Sequence, residues 1–345
     1  MGSGTGSGSP GSDGGGSGSD GGGDAGGYCA TGTAASGYTA VALACNQDTP
    51  SGIVVNNGIV YWTNYDAAKS SGNASGSGGA ILSVPTGGGT VTTVVPNQDY
   101  PWAIAVDGNN VYWTNYDNDG AVGGGETSMG SVLQAPVGGG SVTTLAMGLE
   151  DPYGIAVDSN NVYFTTYAGG RVKKVPIGGG TVVTLAQNLN NPCYIAVNGS
   201  SVYWTNYGDG TLQSIATSGT TPGTPVTLTT DDANDNANGI ATSGSNIFFA
   251  ASNDPGGVYS IAATGSTTPT VLAGKQDNPW GLATDGTNVY WTNNDDPGNL
   301  VSVPIVGGTP TTLASFLNDP TAVAADSTGV YTAGAGGHIW RITAN

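Results

Sequence analysis

Positive charge is scarce in this chain. Six Lys and Arg residues stand against 24 Asp and Glu, a net charge of −18 over 345 residues. Nucleic acids and anionic membranes are held by clustered Lys and Arg. The one basic cluster, Arg171, Lys173 and Lys174, falls on a single predicted strand, so nucleic-acid binding is excluded as an expectation. The acidic excess points instead to a well-solvated surface with an attraction for cations. Histidine occurs once, as His338, and none of the three cysteines forms a Cys-x-x-Cys pair, which removes the ligand sets of zinc sites. No apolar run approaches the ~18 residues of a membrane-spanning helix, so no transmembrane segment is expected. A sustained 3.6-residue period is also missing, so almost no helix is expected.

Glycine, in contrast, is abundant, with 61 copies. Residues 1–27 are almost entirely Gly, Ser, Asp and Thr and carry nothing that could anchor a core. They read as a disordered tether, leaving 28–345 as one folded domain. Met1 runs directly into this stretch. A Gly/Ser tether ahead of a secreted-looking β domain is what remains once a signal or lipoprotein leader is removed. The expected location is therefore extracellular, periplasmic or cell-surface. Cys29 and Cys45 bracket 15 residues just after the tether. The sequence leaves open whether they are bridged; a bridge would contribute about 3 kcal/mol on the loop-entropy estimate. Cys193 reads as a small buried hydrophobe.

The dominant pattern is a repeat. Tyr-Trp-Thr-Asn begins at Tyr61, Tyr112, Tyr203 and Tyr290, and looser copies begin at Tyr163, Phe248 and Tyr331. Successive copies are 51, 51, 40, 45, 42 and 41 positions apart. A period near 45 built on strand-forming residues predicts four-stranded propeller blades. Residues 152–186 show the unit: a Pro-led apolar strand, an Asn-rich turn, the aromatic strand, a loop, a third strand, a Gly-Gly-Gly turn and a fourth strand. First strands centre on Ile53, Ile104, Ile155, Ile195, Ile240, Leu282 and Val323, which makes seven blades. The last repeat has only three strands. The orphan segment Tyr38–Ala44 ends in Asn46-Gln47-Asp48, like the fourth strands ending in Asn97-Gln98-Asp99 and Lys275-Gln276-Asp277. It is therefore expected to complete the seventh blade and close the ring, hiding two sheet edges. The predicted fold is all-β, a seven-bladed β-propeller of four antiparallel strands per blade.

Tyr-Trp-Thr-Asn after Ile-Ala-Val-Asp-Gly-Asn-Asn resembles the YWTD propellers of lipoprotein receptors. Pro-Tyr-Gly-Ile-Ala-Val-Asp is similar to NHL repeats and to seven-bladed propellers of the virginiamycin B lyase type. The resemblance spans roughly 38–345 and implies a propeller of this broad superfamily. Two features depart from the receptor pattern: seven blades rather than six, and Asn or Thr where the fourth motif residue is Asp. In such families that residue ties neighbouring blades, which an Asn amide can also do.

Loops joining fourth to first and second to third strands share one face, where propellers commonly bind. That face should collect Trp102, Tyr153, Tyr194 and Trp280 from the segments after the blade-opening prolines. It should also collect Tyr65, Asp66, Tyr116, Asp117, Asp119, Asp209 and Asp295 from the loops after the motif. Longer loops at 64–80 and 115–130 mark the same side. Asp117 and Asp119 have the oxygen density of a calcium loop without its later bidentate Glu, so Ca2+ is the one cofactor to consider. The Gly-Gly-Gly-Thr turns join two strands and offer no helix N-terminus to a phosphate. The residues favour a non-catalytic, secreted or surface-tethered module for a protein, peptide or glycan ligand. One alternative is a propeller lyase or hydrolase using His338; another is a structural assembly subunit.

Overall fold

The computed structural model describes residues 33–65, 78–116, 129–230, 236–252, 256–264, 268–295 and 297–345. Among them there is no helix, and hence none long and apolar enough to cross a membrane. The strands form seven sheets. Blades 1 to 6 run over 50–98, 101–149, 152–187, 192–230, 237–276 and 279–317, each an antiparallel meander. Blade 7 combines Pro320–Asp326, Gly329–Gly334 and His338–Ala344 with Tyr38–Ala44, which pairs antiparallel with His338–Ala344. The first strand of each blade packs on the next, and Pro320–Asp326 packs back on Pro50–Asn56, so the ring is closed.

The seam has one strand more than the sequence indicates. Thr33–Ala34 pairs with Thr311–Leu317 of blade 6 before the chain enters blade 7, so blade 6 has five strands. Two residues of Thr and Ala carry no strand signal of their own; the exposed edge beside them supplies the pairing. Cys45 is disulfide-bonded, Cys193 is free and buried, and Cys29 lies outside the described residues. The expected tether, 1–27, also lies outside them.

The motif strand explains the packing. Its side chains alternate between the two faces of a sheet that is covered on both. The Tyr side faces the next blade and the Trp side faces the previous one. Tyr61 of blade 1 thus shares a cluster with Trp113 of blade 2, and Tyr163 with Trp204. Seven such clusters occur, one at each blade junction. Trp62, Trp113, Trp204 and Trp291 have no solvent exposure. Blade 7 has Thr332 in place of the motif Trp, and Trp340, directly across from Thr332, packs into the junction with blade 6 instead.

Polar members of the motif tie each blade to its neighbour. Thr63 Oγ1 donates to the Trp102 carbonyl at 2.7 Å, and Thr114, Thr165 and Thr205 make the equivalent bond to the next blade at 3.0, 2.7 and 2.9 Å. The fourth residue reaches the other way. Trp113 Nε1 and Asn115 Nδ2 both donate to Gln98 Oε1 of blade 1, at 3.0 and 3.4 Å. Gln47 and Gln276 latch Trp62/Asn64 and Trp291/Asn293 alike. The three segments with a shared Gln-Asp ending are the three that carry this latch. In blade 4, Trp204 is satisfied within its own strand by Asn206 Oδ1 at 3.2 Å.

The motif Tyr anchors the opposite face. Tyr112, Tyr163 and Tyr290 hydroxyls donate to Asp107, Asp158 and Asp285 at 2.6, 2.7 and 2.8 Å. These aspartates also cap the turn through its backbone N–H groups. Burial draws the Asp107 carboxyl upward, but the Tyr112 hydroxyl and the Asn110 and Asn109 amides outweigh it and hold it below its ordinary value. Burial and the partner carboxylates push the Tyr163 and Tyr290 phenols up to about 12.

Candidate functional site

A bulge in every innermost strand shapes the loop face. Pro50 pairs with Asn64 and Ile53 with Trp62, so three steps on one strand oppose two on the other. The same offset follows the opening residue of blades 2 to 6, and blade 7 has its own between Pro320 and Ala322. A bulge re-aims side chains locally. Here it places aromatic residues toward the mouth of the central channel.

A second repeated device fixes the residue after the motif. Tyr65 N–H donates to the Thr49 carbonyl at 3.2 Å, and Tyr116, Tyr167 and Tyr207 bond Tyr100, Asp151 and Asn191 at 2.9, 2.8 and 3.0 Å. Ser252, Asn294 and Ala335 are pinned in the same way in blades 5 to 7. Most of the accepting residues sit in the left-handed region, Thr49 at φ +49° and Tyr100 at +48° among them. For a β-branched or bulky side chain this conformation is strained, at a cost of order 1–3 kcal/mol.

Together these devices build a continuous aromatic arc over blades 1 to 4. Tyr65 lies 5.1 Å from Tyr100 and 5.5 Å from Trp102, ring centre to ring centre. Trp102 continues to Tyr116 at 6.1 Å and Tyr153 at 5.2 Å. Tyr153 meets Tyr167 at 5.8 Å and Tyr194 at 5.6 Å, and Tyr167 meets Tyr207 at 6.3 Å. All of these rings are half-buried. The spacing is that of tilted and edge-to-face aromatic pairs.

Tyr194 differs from its neighbours in the arc. Trp102, Tyr153 and Trp280 directly follow their blade-opening prolines, whereas Tyr194 stands one residue further on because Cys193 takes that place. Cys193 is turned between blades, its Sγ 3.2 Å from Thr205 Oγ1 and 3.3 Å from the Ala237 carbonyl. Burial pushes its thiol up to about 11, which suits packing rather than reactivity. The Tyr194 ring meets Tyr153 edge-on and lines one cavity with Trp280, so blades 3, 4 and 6 come together at the channel. Burial holds both phenols well above their ordinary value. These rings are walled by protein yet reached by solvent through the mouth.

The remaining arc, blades 5 to 7, has a different character. Ser252, Asn294 and Ala335 stand where the tyrosines stand. Asp295 is exposed, and its carboxyl is raised by burial and then by the nearby charges of Asp277 and Asp319. His338 stacks on Trp340 at 5.4 Å, beside Asn318 and Gly336.

The structure thus brings together Tyr65, Trp102, Tyr116, Tyr153, Tyr194 and, by way of Tyr194, Trp280. Asp66, Asp117 and Asp119 lie outside the described residues, as does most of both long loops. Asp209 is engaged locally, its Oδ1 accepting from Thr211 N and Oγ1 at 3.1 and 2.7 Å. Among the described residues no group of three or more His, Cys, Asp or Glu is placed to hold a metal. Tyr100 and Tyr167 were not singled out from the sequence, whereas the loop Tyr207-Gly208-Asp209 was expected on this face. For Tyr167 the signal was present, since a Tyr follows the motif in four consecutive copies.

No protein-family model matches the sequence, and no curated protein matches it. Solved structures do. A streptogramin B lyase superposes with TM-score 0.71 at 15% identity, covering 89% of this chain and 98% of that one. Virginiamycin B lyase from Staphylococcus aureus gives 0.70 at 15%, covering 89% and 99%. A chain of the nidogen/laminin complex gives 0.54 at 18%, covering 72% and 95%. At these identities the likeness is one of fold. The chain is a seven-bladed β-propeller whose structural neighbours include lyases and a YWTD-type propeller.

Proposed function

We propose that this propeller is a non-catalytic binding module, secreted or surface-tethered, that recognises a protein, peptide or glycan with its loop face. One observation carries the reading: the unbroken arc of tyrosines and Trp102 across blades 1 to 4. Half-buried, mutually braced aromatics present large contact area at little entropic cost and dominate many interfaces. Strained backbone at Thr49 and Tyr100 beneath them is the kind that collects at ligand-binding sites. The nidogen neighbour, solved in complex with laminin, is a propeller in a protein assembly. The lyase neighbours keep catalysis as the alternative.

The test is a glycan array together with an affinity pull-down, each run with the wild type and with Tyr116→Ala/Tyr167→Ala. A ligand retained by the wild type and lost by the double variant supports the reading. Two empty screens, or a ligand indifferent to the double variant, overturn it.

A further inference from the structure

The third position of the innermost strand is Gly or Ala in six blades: Gly52, Ala103, Gly154, Gly239, Gly281 and Ala322. The glycines are small for a reason. A Cβ on Gly154 would lie 2.3 Å from the Cys193 carbonyl, and one on Gly239 2.4 Å from that of Trp280. Blade 4 alone has a large residue there, Tyr194. Deeper in the channel, one aliphatic side chain per blade, from Ile53 round to Val323, forms an apolar collar with each residue only 6–9% exposed. Between the collar and the rings of Trp102, Tyr194 and Trp280 lies a cavity of about 270 Å³ to which all seven blades contribute.

The chemistry of this vestibule is narrow. Among the described residues no charged side chain lines it. Its other hydroxyls are already engaged: Ser51 donates to the Pro101 and Trp102 carbonyls at 3.2 and 3.1 Å, and Thr321 to those of Pro50 and Ala333 at 3.5 and 3.4 Å. Tyr194, Trp102 and Trp280 add a phenol hydroxyl and two indole N–H groups to the lining, each able to donate a hydrogen bond. The site therefore offers an apolar collar with donors on the aromatic rings above it.

We propose that the vestibule seats one apolar side chain presented by a peptide or protein, with a carbonyl beside that side chain accepting the Tyr194 O–H. This deepens, and rests on, the binding-module reading above. The volume lies just below the ~300–1,000 Å³ of sites that hold whole small molecules, which matches a single side chain. A sugar would lose hydration of its hydroxyls against the collar without replacement. An ammonium group would meet no carboxylate among the described residues of the lining.

The test is NMR titration of the full chain with N-acetyl-phenylalaninamide, N-acetyl-leucinamide, N-acetyl-lysinamide and methyl β-glucoside. The two apolar amides are expected to bind, with shifts at Tyr194 and Ala322, and the other two to leave these signals unmoved. Ala322→Phe, which fills the cavity, abolishes binding. Tyr194→Phe, which keeps the ring and removes the donor, weakens it about three- to tenfold, the worth of one neutral hydrogen bond. Absence of apolar binding, equal binding of the glucoside or lysinamide, or unchanged affinity in a folded Ala322→Phe overturns the proposal. A macromolecular ligand lost in Tyr116→Ala/Tyr167→Ala but kept in Ala322→Phe would overturn the vestibule assignment alone and leave the binding-module reading standing.

Discussion

The two sides of the loop face are built on one scaffold and finished differently. In blades 1 to 4 the residue pinned after the motif is always Tyr; in blades 5 to 7 it is Ser, Asn or Ala. The backbone bond that holds this position is the same in all seven blades. At this position the difference is therefore in the side chain. The ring supplies seven equivalent sockets, and the sequence fills four of them with aromatics and leaves three polar or small. Seven-fold packing is the constant layer, and the asymmetric rim is where function concentrates on a rigid scaffold.

The largest expected effect tests the constant layer. Trp113→Ala on the aromatic side and Trp291→Ala on the polar side remove equally buried rings, and each is expected to cost about 3–5 kcal/mol in urea melts. A much smaller loss for either would break the equivalence of the two sides. Next is the asymmetry itself. Tyr116→Ala/Tyr167→Ala should weaken ligand binding about 30-fold or more, as loss of aromatic hot spots does, whereas Asn294→Ala should change it less than about twofold. Titration calorimetry separates these outcomes, and a reversed order would move the binding surface to blades 5 to 7.

The inter-blade latch comes third. Gln98→Ala and Gln276→Ala each leave a buried Trp Nε1 without its acceptor, and a loss of about 1–3 kcal/mol is expected in either half. A Gln-to-Glu replacement at the same sites keeps the acceptor but loses the Nε2 bond to the Pro96 or Gly274 carbonyl and introduces a charge, so it should recover only part of the loss. The smallest effect is in titration. Asp295 is raised in the folded state, so its contribution favours folding below the unfolded-state pKa and is lost as pH rises through the folded value. Asp107 and Asp285 are lowered, so theirs is present above the unfolded-state pKa and lost as pH falls through the folded one. Carboxyl NMR titration should show opposite displacements, with Asp277→Asn returning Asp295 toward its ordinary value. Because Asp295 is exposed, solvent screening keeps its effect on stability small.

Much of this was legible from residue order. Strands, turns and the blade count follow from local pattern, because a motif recurring every 40–51 residues must occupy equivalent places in a closed ring. The seam strand Tyr38–Ala44 was readable from its Asn-Gln-Asp ending, whose Gln proved to be the latch. Thr33–Ala34 was not readable, since a two-residue pairing is decided by the edge it meets. The motif's Thr was underrated: its hydroxyl crosses to the next blade, a contact that has no local signature.

By itself, then, the sequence determined an all-β ring of seven blades, the identity of its packing strand and which end bears the aromatic loops. Periodicity carries that information, because each blade reads its instructions from its own forty-odd residues. Only the tertiary structure decided which aromatics touch. Tyr65 and Tyr207 belong to one arc, and Tyr194 meets Tyr153 and shares a cavity with Trp280 above the apolar collar, because closure of the ring brings residues as far as 215 positions apart to the same channel mouth (Tyr65 to Trp280, from their numbers). No local pattern encodes such distances; the geometry of the closed ring sets them.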